Sequence, residues 1–408
     1  MTVPGSSLAS RPSHVPIDRV VDFDMYAPPG VERDYHAAWK ALQQRELPDI
    51  VWTPHNGGHW MALRGRVLTE IFQDHTTFSN HVILVPKSVG EQHHLLPTTL
   101  DPPEHRVYRN IINPAFMPKR VHELEDTIRS VAAGLIEDVR AAGGCNFTTA
   151  YAEQLPVRIF LALVDLPMAD APRLEYLSDQ VVRPDGAMTF AEAMSAFSAY
   201  LAPHIEARRT QPGSDLLSNI VNSRVDGREL SHEERLNLCI QVLIAGLDTV
   251  VNFLGFMMLF LAQHSGHQRA LATNPGLIPV AVEEFLRRFG VVTIGRLVTR
   301  DVEFHGAALR QGEMIVLPTA LHGLDERENT APMEVDFARR AARHSTFGQG
   351  VHHCVGAHLA RAELRITLEE WLKRIPEFGL APGAGIEMQG GIVGCVKALP
   401  LVWPVPAA

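Results

Sequence analysis

The stretch Phe347-Gly348-Gln349-Gly350-Val351-His352-His353-Cys354-Val355-Gly356-Ala357-His358-Leu359-Ala360-Arg361 decides the fold of this chain. One cysteine stands between a glycine-rich run and the start of a helical pattern. In that pattern Val355, Leu359 and Ala360 share a side, with Arg361, Glu363 and Arg365 interspersed. A thiol at a helix N-terminus feels the positive end of the dipole and the unpaired N–H groups, and both favour thiolate. Gly348, Gly350 and Gly356 lack Cβ atoms, so a flat, bulky group can approach the backbone, and Phe347 offers it an aromatic face. Such a thiolate suits an axial bond to haem iron. Two blander readings compete: a buried core cysteine, and a zinc site from His353, Cys354 and His358. Zinc asks for four convergent ligands, usually in paired spacings, and no second pair accompanies this one.

Phe347-Gly-x-Gly-x-x-x-Cys354-x-Gly356 resembles the signature of the cytochrome P-450 family, the haem-thiolate monooxygenases. The resemblance covers nearly the whole chain. It implies a mainly α fold with a small β-rich lobe, and haem b (iron protoporphyrin IX) between a long central helix and the cysteine loop. Cys354 would be the metal ligand, and Phe347, Gly348, His352 and Gly356 would contact the cofactor.

The 408 residues suffice for a large core, and the expected organisation is one domain over 1–408 with an extended arm at 1–30. A net charge of −9 gives no sign of a nucleic-acid or anionic-membrane binder. Cys145, Cys239, Cys354 and Cys395 are scattered, which suggests a reducing cytoplasm and not a disulfide framework. The first twenty residues lack the apolar core of a signal peptide. The apolar run 242–262 is interrupted by Asp248, Thr249 and Asn252, so it reads as a core helix and not a membrane span.

In chain order, 31–44 reads as a helix, and 50–53 with 59–63 as a hairpin about Asn56-Gly57-Gly58. A short helix is predicted over 67–73, mostly helix from 117 to about 287, β structure over 293–317, and strands and turns over 379–403.

Ser231 to Glu234 spells a capping box, and the helix to His264 would run ~50 Å. Its middle holds Ala245-Gly246-Leu247-Asp248-Thr249, an acid and an alcohol in apolar surroundings. Thr249 can bond back to the Ala245 carbonyl and open the turn, while Ala245 and Gly246 leave room for a diatomic ligand. This is similar to the family's oxygen groove, which implies Thr249 as hydrogen-bond partner of the activated oxygen and Asp248 as proton relay, with Arg183 pairing Asp248. A kinked core helix with a satisfied Asp is the competing reading.

Asp101-Pro102-Pro103-Glu104 looks like a helix start. His105 and Arg109 then share a face at i and i+4, which is either a solvated basic face or, as the resemblance implies, a donor pair for a haem propionate. Arg296 matches a further propionate arginine, although Ile294-Gly295-Arg296 stands where the camphor-hydroxylating branch has an aspartate first. Glu284 and Arg287, with Arg339, match a structural charged triad.

Several segments resemble that camphor-hydroxylating branch, but the pocket departs from it. His93 stands at the position of a ketone-binding tyrosine, Leu84 at a phenylalanine, Val182 at a threonine and Gln241 at an apolar residue. Thr98, Ile244, Val292, Ile392 and Val393 keep the lining apolar. The implied activity is hydroxylation of a small apolar terpenoid, with a norisoprenoid or monoterpenoid ketone favoured over camphor, using O2. No flavin or iron–sulfur segment is visible, so the two electrons would come from a [2Fe–2S] ferredoxin and its NADH-dependent reductase. The expected dock is near Arg106, Arg109 and Arg361. The alternative is a non-catalytic haem-binding sensor or carrier.

Overall fold

The computed structural model describes residues 8–92 and 94–405. His93 lies outside the described residues.

The arm over 8–30 is irregular, with several turns and one short 3-10 helix at Ile17–Arg19, yet it is part of the core. Val15, Val21, Phe23 and Met25 are buried, and the Val21 N–H donates to the Trp52 carbonyl at 2.8 Å. The first helix covers Tyr35–Gln44 and begins later than the predicted 31, because the Asp34 carboxylate accepts from the His36 and Ala37 N–H groups and caps it there.

The predicted hairpin pairs Ile50–Thr53 with His59–Ala62 in antiparallel register, Trp52 opposite Trp60. Asn56, Gly57 and Gly58 all take positive φ between the strands, and a Cβ on Gly58 would lie 2.7 Å from the Trp52 ring. The main sheet runs in the order Ile50–Thr53, His59–Ala62, Met314–Pro318, Thr293–Val298, Phe78–Ser79. The remainder is mainly helical, with short strand pairs at Arg224–Val225 with Arg228–Glu229 and Val302–Phe304 with Ala307–Leu309, and the predicted tail strands pair with one another and with Gly144–Asn146.

The central helix departs from its predicted single run. It consists of His232–Leu247 and Thr249–Gln263, broken at Asp248 with φ −121 and ψ −39. Its N-terminus carries the predicted capping box. The stretch His232–Gln263 is long and apolar enough to cross a membrane by length and composition, but 72% of its most apolar window is buried inside this protein.

Behind the cysteine loop lies an almost fully buried ionic cluster. Glu284 accepts from Arg287 at 2.8 Å on each oxygen and from Arg339 Nε at 2.9 Å. Arg287 also donates to the carbonyls of Gly323, Pro332 and Glu334. Gly323 packs so closely that a Cβ there would meet the Arg287 carbonyl oxygen at 1.7 Å. Thr346, just before Phe347, donates to the Leu286 carbonyl at 2.5 Å and ties the loop to this helix.

Candidate active site

A cavity of about 360 Å³ lies between the broken central helix and the cysteine loop. Its wall includes Cys354, Phe347, Gly348, His352 and Gly356 from the loop, and His105 and Arg109 from the helix Glu104–Ile112. Arg296 comes from a sheet strand, and Gly246 and Thr249 from the central helix. Every residue expected to contact a cofactor is therefore on one cavity.

Cys354 follows a short turn, Gly350–His352, and precedes the helix Ala357–Arg374. Its N–H donates to the Phe347 carbonyl at 2.8 Å. The sulfur opens on the cavity, which makes it accessible although it lies deep in the protein. Burial raises the thiol pKa more than the Gly356 N–H, Arg109 and Arg361 lower it. Burial thus opposes the thiolate that the helix start favours, and a metal bound at the sulfur would stabilise it. The glycines also differ from their expected use. Gly348 and Gly350 take positive φ, and a Cβ on Gly350 would press to 2.6 Å from the Phe72 carbonyl, so both turn the backbone, and only Gly348 of the two lines the wall. His353 and His358 form no zinc site with Cys354: among the described residues no three His, Cys, Asp or Glu side chains converge as ligands.

Polar groups crowd one edge of the cavity without partners. Both ring nitrogens of His105 and Nε2 of His352 are buried and unbonded, with the two rings 4.1 Å apart. Arg296 is 3% exposed, and its side chain donates to the carbonyl of its neighbour Gly295 at 2.8 Å. Burial, then Arg109, lowers the His105 pKa to about 4; burial, then His105, lowers His352 to about 2. Burial lowers Arg296 to about 10. Buried donors without acceptors are costly, and this set asks for an anion in the cavity.

Over the sulfur, the Thr249 hydroxyl donates back to the Ala245 carbonyl at 3.4 Å, as expected. Gly246 has a role the sequence did not reveal. A Cβ there would strike the Phe160 ring at 2.4 Å, so the glycine admits an aromatic ring from the helix Gln154–Val164. Asp248 is absent from the cavity wall. Arg183 holds its carboxylate with two hydrogen bonds, Nη1 to Oδ2 at 2.9 Å and Nη2 to Oδ1, and Asn252 donates to Oδ1 at 2.9 Å. Arg183 also grips Asp179 nearer the surface. Burial disfavours the Arg183 charge, but the Asp248 charge and hydrogen bond outweigh it.

A family model described as Cytochrome P-450 matches residues 277–379. The chain is also 33% identical over 401 residues to the probable cytochrome P-450 127A1 of Sinorhizobium fredii, covering 96% of each. The chain belongs to the cytochrome P-450 family. Among solved structures, that of CYP101J2 superposes with a TM-score of 0.89 at 46% identity, over 97% of this chain and 100% of that one. That of Mycobacterium marinum CYP268A2 in complex with pseudoionone gives 0.82 at 26% identity, over 94% and 100%. Matched relatives include proteins named as hydroxylases and monooxygenases. The chain is a P-450 monooxygenase that uses haem b with a cysteine thiolate ligand, O2 and a redox partner. Cys354 is the one cysteine on the cavity wall among the described residues. The unbonded ring nitrogens of His105 and His352, with the buried Arg296, fit the carboxylates of this P-450 cofactor.

The substrate expectations divide. Thr98, Gln241 and Val292 line the cavity; Leu84, Val182, Ile244, Ile392 and Val393 do not. Leu84, Val182 and Val393 are packed into the interior at 6%, 5% and 3% exposure. The Ile392 backbone is stitched to Val182 and Thr293, and Ile392 and Ile244 lie against the core. The expected dock also changes. Arg109 turns inward, bonding the His353 carbonyl at 2.5 Å and Asn113 at 2.7 Å, and Arg361 is committed to Glu283. Arg106 remains exposed.

Glu363 was not singled out, although its spacing of four from Leu359 puts it on the apolar side. It is 2% exposed, lines the cavity and has no hydrogen-bond partner among the described residues. Burial pushes its pKa up from the ordinary 4.5 to about 8. Its neutral form therefore supports the fold at low pH, and that support is lost as pH rises from about 4.5 through about 8. Glu363→Gln, neutral throughout, is expected to abolish a loss of up to roughly 5 kcal/mol over that window. Denaturant midpoints of both proteins across the pH range are the measurement; equal slopes would refute it.

Proposed function

We propose that this chain hydroxylates a small apolar terpenoid-like ketone in the cytoplasm, with electrons from a [2Fe–2S] ferredoxin and its NADH-dependent reductase. The observation that carries the reading is the cavity: a thiol floor, an edge of unbonded histidine nitrogens beside Arg109 and Arg296, and a mostly apolar wall including Val250, Phe253 and Ile294. The pseudoionone complex of CYP268A2 supports a norisoprenoid ketone as substrate class. Haem, when bound through a thiolate, supplies the O–O cleaving chemistry.

The chain's own residues do the rest. Phe160, Val250 and Phe253 exclude water and orient the substrate beside the central helix. The Thr249 hydroxyl, anchored on Ala245, presents a hydrogen-bonding group at the break. Asp248 holds a proton-accepting carboxylate one residue away, and the sharing of Arg183 with Asp179 is what can let it turn inward.

The test combines the carbonyl difference spectrum of the reduced holoprotein with spin-state titrations by camphor, β-ionone and pseudoionone. Product analysis with a reconstituted ferredoxin chain completes it. A thiolate-type Soret band, a full shift with an ionone-type ketone and a product heavier by one oxygen are expected. A tight, full shift with camphor alone would reverse the substrate choice, and turnover-free haem binding would leave a sensor.

A further inference from the structure

Phe347 has two neighbours on different sides. It lines the cavity and its carbonyl accepts the Cys354 N–H. Over its ring stands Arg361, with the guanidinium carbon 4.7 Å from the centroid. Arg361 comes from the helix Ala357–Arg374, and Glu283 on the helix Ile278–Arg288 clamps it in a forked pair, Nε to Oε1 at 2.5 Å and Nη2 to Oε2 at 3.1 Å. Glu283 Oε2 also lies 3.9 Å from His344 Nε2. Burial works to raise the Glu283 pKa, but His344 and Arg361 prevail and hold it near 2. The pair is thus ionised, oriented and only partly solvated, with side chains 33% and 40% exposed.

This is more than a surface ion pair. A forked carboxylate fixes the plane of the guanidinium, and the guanidinium stands over the ring of Phe347, which shares the cavity with Cys354 and accepts its N–H. A cation so placed draws on the ring's negative face and favours whichever state of the site is more negative. Glu283 contributes the opposite field from farther out. Other chargeable groups in or beside this loop are Arg109, His352, His353 and His358, with His105, Arg296 and Glu363 on the same cavity, and the His353 carbonyl is held by Arg109.

We propose that Glu283 and Arg361 act as a positioning pair that sets the electron affinity of the thiolate-ligated haem through Phe347. The inference rests on the haem-thiolate reading above. One-electron reduction adds a negative charge to the site, so the Arg361 cation favours the reduced form, and Glu283 disfavours it.

The experiment is spectroelectrochemical titration of the holoprotein and of Arg361→Met, Arg361→Lys and Glu283→Gln. Each is first checked for the thiolate carbonyl band, so that loss of that band in the native protein would reject the haem reading and not the pair. Arg361→Met is expected to shift the reduction equilibrium about tenfold toward the oxidised form, about 59 mV for one electron. Arg361→Lys should retain part of the effect and Glu283→Gln should shift it the other way. The differences should shrink at high salt, since the pair is partly solvated. A merely structural clasp would loosen the loop in every variant and move all potentials in one direction. Shifts of one sign, or potentials indistinguishable from the native protein, would overturn the proposal.

Discussion

Replacing Glu284 by alanine is expected to cost the fold about 3–5 kcal/mol and to release the thiolate loop at temperatures the native protein survives. Arg287 and Arg339 both terminate on this carboxylate, and the Asp336 N–H adds a fourth donor at 2.9 Å. Arg287 is 0% exposed and Glu284 2%. Alanine therefore strands two guanidinium groups, one with no access to water, and leaving an uncompensated charge buried is worse than removing the pair. The same helix holds Thr346 through the Leu286 carbonyl, so damage there travels to Phe347 and Cys354. Glu284→Gln keeps shape and acceptor and should lose less. The measurement is melting followed by the thiolate carbonyl band; coincident curves for native and alanine proteins would refute a structural role for the cluster.

Asp248→Asn should lower coupled product formation by about 10²-fold or more while leaving the substrate-induced spectral shift nearly unchanged. The two readouts separate because the carboxylate is off the cavity wall, held by Arg183 and Asn252. Asparagine fits the same space and still accepts from Arg183, yet it cannot carry a proton at physiological pH. A larger solvent isotope effect on product formation is the accompanying signature. Thr249→Ala should instead divert oxygen to hydrogen peroxide. An Asp248→Asn protein with native product yield would exclude this carboxylate from proton transfer.

Much of the site was legible because its chemistry is local. Cys354, the glycines before it and the start of the helix after it lie in fifteen consecutive residues, and the positive φ at Gly348 and Gly350 is a local constraint. His105 and Arg109 share a face by helical spacing alone, and the capping box at Ser231 and Glu234 needs only four residues. The charged triad was legible as a pairing, but its burial was not, since an exposed helical ion pair has the same spacing.

The sequence by itself determined the fold family and the candidates for the chemistry: one cysteine at a helix start, an acid and alcohol in an apolar helix, and a scatter of arginines and histidines. Only the tertiary structure decided what surrounds them. It set Phe160 against Gly246 and buried Glu363 without a partner. It committed Arg361 to Glu283, and it left Val182 and Val393 in the core. The reason is physical: spacing fixes which face a side chain occupies, but burial, desolvation and charge pairing depend on atoms tens to hundreds of residues away.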